Sequence, residues 1–213
     1  MSQKKIIVVF GATGAQGGGL AHAILNDKNS GFSVRAVTRD VSSDKAKELA
    51  SLGAEVVAGD VDDMESLKAA LAGAYGAYFV TFFWAHFSPE KEMSEAKNMA
   101  MAAKEAGLKH VIWSTLEDVR KYVPLEDDRI PTLNGKYKVP HFDGKGASDQ
   151  YFIDAAVPVT FFGNLFLLGE PDLFWHGTKA WRGWKAIYYF SVGKQKNVRY
   201  GCRGHRQMCL WNI

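Results

Sequence analysis

The sequence predicts an α/β fold built on a doubly wound parallel sheet. Three observations carry this. Short apolar, β-branched runs alternate with stretches of helical period from residue 5 to residue 156. Gly53 and Gly107 close two of the helical stretches, and acids open another. The first apolar run leads directly into Gly11-x-x-Gly14-x-x-Gly17, a glycine triplet set between a strand and a helix. Strand–helix alternation of this kind gives parallel strands with helices on both faces.

The elements follow in order. Residues 5–10 are apolar on both faces, as a buried parallel strand should be. Leu20, Ala21, Ile24 and Leu25 mark a helix over 18–26, and 33–38 is a second strand. A helix over 44–52 precedes a third strand at 55–58. Residues 64–71 form a helix, and 77–81 a fourth strand. A long amphipathic helix spans 90–106 and a fifth strand spans 109–114. The stretch 121–140 holds three prolines and no clear period, which reads as a long loop of functional interest. A further helix spans 145–156.

Composition narrows the function classes. The 213 residues are 47% hydrophobic and 23% charged, so the chain is globular and of a size for one core. A net charge of +3, with Lys and Arg scattered among acids, argues against direct nucleic-acid binding. The apolar run at 6–10 is too short for a signal peptide or a membrane span. The two cysteines, Cys202 and Cys209, do not make a disulfide framework. The expected compartment is the cytoplasm, with the nucleus second.

The glycine loop Gly11-Ala12-Thr13-Gly14-Ala15-Gln16-Gly17 has a specific physical logic. The first glycine permits the tight turn, the second lets backbone approach a pyrophosphate, and the third lets the helix pack close to the sheet. The helix N-terminus then offers N–H groups and partial positive charge to phosphates. This is a Rossmann-type dinucleotide site. At the end of the second strand stands Thr38-Arg39, where an NAD-preferring site would carry an acid. A guanidinium pairs with a 2′-phosphate, so NADP(H) is the expected cofactor. Arg35 competes for that role but lies mid-strand. Asp60, Val61 and Asp62 follow the third strand. The two aspartates there either border the adenine or cap the helix that starts at Met64.

Four separated blocks, Val8 to Gly18, Val37-Thr38-Arg39, Gly53 to Val57 and His141 to Gly146, together resemble the NmrA-like family of atypical short-chain dehydrogenase/reductases. The resemblance covers residues 4 to about 162. It implies an NADP(H)-binding protein that senses the NADPH/NADP+ balance and regulates protein partners, with a homodimer as a further expectation. The family's binding positions fall on the glycine loop, Arg39, Thr81, Phe82 and Lys145. A lysine that some members use falls on Ser94 here.

Ordinary short-chain reductases use Tyr-x-x-x-Lys, in which the tyrosine donates the proton. The corresponding block reads His141-x-x-x-Lys145, and Ser114 matches the usual serine. Lys145, Ser114 and His141 are therefore the catalytic candidates, but binding without efficient turnover fits the histidine better. Tyr137 sits in the loop with no motif placing it, and Lys136 and Lys138 read as solvated. The rival readings are an NADPH-dependent quinone or carbonyl reductase and a product with impaired cofactor binding.

After residue 162 the resemblance stops. Residues 1–162 form the cofactor-binding domain, and 163–213 form a divergent tail, expected to be irregular and poorly ordered. The family's substrate lobe is then missing or replaced. Codons exist for 163–186 and for 200–213 whose next reading frame encodes segments like those the family has there. The tail is read as frameshifted.

Overall fold

A computed structural model of the chain describes residues 3–165, 187–192 and 198–201. Six strands pair in parallel: β1 (Lys5–Phe10), β2 (Phe32–Thr38), β3 (Glu55–Ala58), β4 (Gly76–Phe79), β5 (His110–Thr115) and β6 (Val159–Leu165). Their order is β3-β2-β1-β4-β5-β6. The register sets Val8 opposite Arg35 on one side and Ala77 on the other. Between them run α1 (Ala15–Asn26), α2 (Asp44–Ser51), α3 (Met64–Leu71), α4 (Pro89–Glu105) and α5 (Pro140–Asp154).

The period of two along β1 explains why helices lie on both faces. Val8 and Phe10 point into one core with Leu67 and Leu71 of α3, Met99 of α4 and Phe152 of α5. Val9 points into the other with Leu20 and Ile24 of α1 and Leu49 of α2. A strand with apolar residues on both sides can only be buried on both sides. On α4, Ala96, Ala100 and Ala103 are fully buried, and such small side chains let the helix lie close to the sheet.

Helix starts follow from local chemistry. Ser43, Asp63 and Ser88 each accept a backbone N–H in the first turn of α2, α3 and α4. Pro89 and Pro140 stand at the start of α4 and α5, where a missing N–H costs nothing.

Several boundaries differ from those read in the sequence, each for a physical reason. Helix α5 begins at Pro140, not at residue 145. The buried Asp143 carboxylate accepts from the backbone of Lys138 at 2.7 Å, Val139 at 3.0 Å and Val119 at 3.0 Å, and so organises the entry from within. Helix α1 begins at Ala15, inside the glycine loop. Strand β4 ends at Phe79, and the chain then turns through a short 3-10 helix at Phe83–Ala85. Strand β6 was not anticipated. Pro158 precedes it and needs no N–H, while its carbonyl accepts from Val111 at 2.8 Å. Lys138 is not solvated: it is buried, and its ammonium donates to the carbonyls of Asp127 and Ile130 at 2.6 and 2.7 Å.

The tail expected to be irregular contains two strands, β7 (Ile187–Val192) and β8 (Val198–Gly201). They extend the sheet antiparallel beyond β6. Their sequences, IYYFSV and VRYG, are rich in aromatic and β-branched residues, which suits strands. The rest of that stretch, and with it the expectation of poor order, lies outside the described residues. Among the described residues no helix is long and apolar enough to cross a membrane.

Candidate dinucleotide site

The strand order reverses between β1 and β4, and a crevice opens where such strands end. The glycine loop leaves β1 at this point. Gly11 turns with φ +62°, a conformation L side chains rarely adopt. A Cβ on Gly17 would lie 2.6 Å from the carbonyl oxygens of both Phe10 and Gly11. Only glycine lets α1 start so close to the strand. No side chain caps α1, and its first turn holds no acid. The N–H groups of that turn therefore remain for an external anion. These features fit a pyrophosphate.

Gln16 has a different task from its loop neighbours. Its Oε1 accepts from the Tyr78 hydroxyl of β4 at 2.7 Å and from the Ser114 hydroxyl of β5 at 2.8 Å. The side chain ties the loop to two strands. Ala12 is buried beneath it, and the Thr13 carbonyl accepts from Lys45 Nζ at 3.1 Å. Lys45, on α2, went unremarked in the sequence. A basic residue early in that helix was its only signal.

The two arginines of β2 separate clearly. Arg35 donates to Glu55 at 2.8 Å and to the carbonyls of Ala70 and Ala72 at 2.9 and 2.7 Å. It fastens β2 to β3 and to the end of α3. Arg39 is exposed just past β2 and forms no ion pair among the described residues. The adjacent Asp40 carboxylate is turned onto Ser42, whose hydroxyl and backbone hold it below the usual carboxylate range.

After β3, neither aspartate singled out in the sequence caps α3; Asp63 does. Asp60 accepts from the Asp62 backbone at 2.9 Å, and Asp62 pairs with Lys91 of α4. The Val61 carbonyl accepts from Asn98 at 3.1 Å. These contacts tie the end of β3 to α4 and leave an exposed Asp60 at the rim.

At the end of β4, Thr81 is buried and Phe82 is exposed. Thr81 donates to Glu92 at 2.6 Å. Glu92 is fully buried, and burial raises its carboxyl above the usual range. Its second oxygen has no hydrogen-bond partner among the described residues. Glu95, one turn on, is pushed up to about 7 by burial, with Asp62 adding to the shift. Ser94 lies exposed between them. The sequence drew attention to Ser94, whereas the buried positions of this turn are its acidic neighbours.

Lys145 is buried, and its Nζ donates to the Ser114 carbonyl at 3.0 Å. Burial lowers its amine to about 8, against the pull of Glu92, Asp149 and Glu95. His141 lies one helical turn earlier on α5. Its ring packs 4.9 Å from Trp84 and 5.6 Å from Phe83. Burial lowers its pKa and so favours the neutral imidazole. Tyr137 does not replace the missing tyrosine. Its hydroxyl donates to Glu90 at 2.9 Å, and burial with that carboxylate pushes it up to about 12. The structure thus gathers Ser114, Lys145, Thr81 and the glycine loop around the strand ends and sets His141 in an aromatic cluster beside them.

A model of the NmrA-like family matches residues 3–168. The NmrA-like family domain-containing oxidoreductase notA of Aspergillus sp. (strain MF297-2) is 35% identical over 159 residues, covering 71% of this chain and 43% of the relative. The corresponding oxidoreductase hkm9 of Aspergillus hancockii is 38% identical over 150 residues, covering 69% and 41%. Among solved structures, NmrA, a negative transcriptional regulator in complex with NADP, superposes with a TM-score of 0.60 at 27% identity, covering 75% of this chain and 45% of that one. Triphenylmethane reductase of Citrobacter sp., complexed with NADP(H), gives 0.58 at 25% identity, covering 74% and 48%. The chain spans less than half the length of these relatives.

Proposed function

Because the chain belongs to the NmrA-like family, we propose that it binds NADP(H) at the β1–β4 crevice and acts as a redox-responsive binding protein toward a protein partner. One observation carries this reading most. An uncapped, acid-free helix start lies over glycines that no other residue can replace, at the point where the strand order reverses. The first turn of α1 would hold the pyrophosphate, with Arg39 and Lys45 beside a 2′-phosphate and Lys145 toward the nicotinamide ribose. The NADP(H) carried by NmrA and by triphenylmethane reductase supports the same assignment.

The choice of sensing over turnover rests on His141. A neutral imidazole packed on Trp84 replaces the acidic hydroxyl of the usual pair. A second reading, an NADPH-dependent reductase, draws support from Lys145 and Ser114 and from the relatives described as oxidoreductases. Bound NADPH would supply a hydride, and the Lys145 amine, near 8, is suited to hold or release a proton at neutral pH.

Titrating the purified chain with NADPH and following cofactor fluorescence tests the binding step. Saturable binding is expected, and its absence defeats the reading. Arg39→Glu should weaken NADPH by about tenfold or more and leave NADH nearly unchanged, since one charge-assisted phosphate contact is lost. Equal loss of both nucleotides overturns the 2′-phosphate role. Steady NADPH oxidation with quinones or carbonyl compounds would favour the reductase.

A further inference from the structure

The turn leading from β4 into α4 and the first two turns of that helix gather three titratable side chains, His86, Glu92 and Glu95. Their polar atoms are incompletely matched. The Ser88 backbone N–H donates to His86 Nδ1 at 3.1 Å, so a neutral imidazole carries its proton on Nε2. That nitrogen is buried and has no hydrogen-bond partner among the described residues. Glu95 Oε1 stands 3.8 Å from it, within ion-pair range but too far for a hydrogen bond. Glu92 is fully buried, and one of its oxygens is unpartnered among the described residues. Such atoms are costly to bury, and a buried carboxyl costs least when it keeps its proton.

We infer that this cluster takes up a proton from solvent when NADP(H) occupies the crevice, so that dinucleotide affinity is tied to pH through Glu95. The inference rests on the dinucleotide reading and adds a proton linkage to it. Position supports it. Thr81, at the end of β4, donates to Glu92 at 2.6 Å, and Lys145 faces the same carboxyl from α5. Both residues border the crevice. Phosphate charge brought there disfavours an ionised carboxyl behind them.

The surrounding charges single out Glu95. Asp60 and Asp62 face it from the connection between β3 and α3, and Glu92 faces it from its own helix. Lys91 is the cation on that side, but it pairs with Asp62. Lys145 is shared among Glu92, Asp149 and Glu95, and His141 faces it as well. Burial pushes the Glu95 carboxyl up to about 7. Both of its forms are therefore populated at neutral pH, and a modest added field shifts the balance between them.

Fluorescence titration of the full chain and of Glu95→Gln with NADPH tests this. Between pH 6 and pH 8 the wild-type affinity should fall about fivefold more than the variant's. Lys145 and the 2′-phosphate also titrate, and the variant retains both. Calorimetry at pH 7 in buffers of different ionisation enthalpy should show more protons taken up per NADPH by the wild type. Without cofactor, a carboxyl raised in the folded chain loses its contribution as pH climbs to about 7. Glu95→Gln should therefore show the higher urea midpoint at pH 8, and its advantage should shrink toward pH 5. Infrared difference spectra of the wild type, NADPH-bound minus free, should gain a carboxylic C=O band, a readout that needs no variant. Equal slopes and proton counts, equal urea midpoints at pH 8, or no such band overturns the inference while the dinucleotide reading stands. No NADPH binding at any pH overturns both.

Discussion

At Gly17 the demand on the residue is steric. Its missing Cβ leaves room for two carbonyl oxygens that would otherwise stand 2.6 Å away. Gly17→Ala should lower stability by about 1–3 kcal/mol, the usual range for overpacking, and reduce NADPH affinity with it. Urea unfolding of the variant reads the first effect, and the NADPH titration reads the second. Lys145 makes a titratable demand. Its folded value of about 8 lies below the ordinary 10.5. Between those values the unfolded chain holds a proton that the folded chain has released. Stability therefore rises with pH across this window and carries the full burden of a buried ammonium below it. Lys145→Met should flatten that rise, as urea midpoints between pH 7.5 and about 10.5 would reveal.

Single elements depend on polar groups that pattern reading underrates. Asp143 is one of three polar or charged residues buried along α5, with Lys145 and Ser148, and it fixes the entry to that helix through three backbone bonds. Asp143→Ala should cost about 2–3 kcal/mol, because buried N–H donors lose their acceptor. The loss should appear as a lower urea midpoint at pH 7, together with faster amide exchange over 138–143. The same group explains why the start of α5 is not legible in the sequence, although the helix is. Its apolar period is weak, two glycines interrupt it, and the acid that starts it acts backward from the fourth helical residue. Strand β1 was legible because burial on both faces leaves an unbroken apolar run, and β2, β3 and β5 by their β-branched residues. Strand β6 was not, since Pro158 at its entry resembles a loop. The glycine loop could be read residue by residue, for its chemistry is local. What Arg35, Lys138 and Glu92 do depends on partners 35, 11 and 11 positions away, and no spacing rule carries that.

Among the described residues, the molecule is a sheet between two separate cores. Leu49 belongs to one and Met99 to the other. Both are essentially inaccessible to solvent, so Leu49→Ala and Met99→Ala should each cost about 2–5 kcal/mol. The sheet separates them, and the double variant should equal the sum within about 0.5 kcal/mol. A double-mutant cycle in urea checks this, and a larger deviation would mean that the sheet transmits strain between its faces.

One contact crosses that sheet plan in another sense. Gln16 gives a single oxygen to hydroxyls on two adjacent strands. The loop proposed to hold the dinucleotide is thereby wired to a phenol, and a phenol is a chromophore. Motion of the loop alters the field at Tyr78, so the part of the near-ultraviolet spectrum that Tyr78→Phe removes from among the eight tyrosines and six tryptophans gauges the state of the loop without any added label.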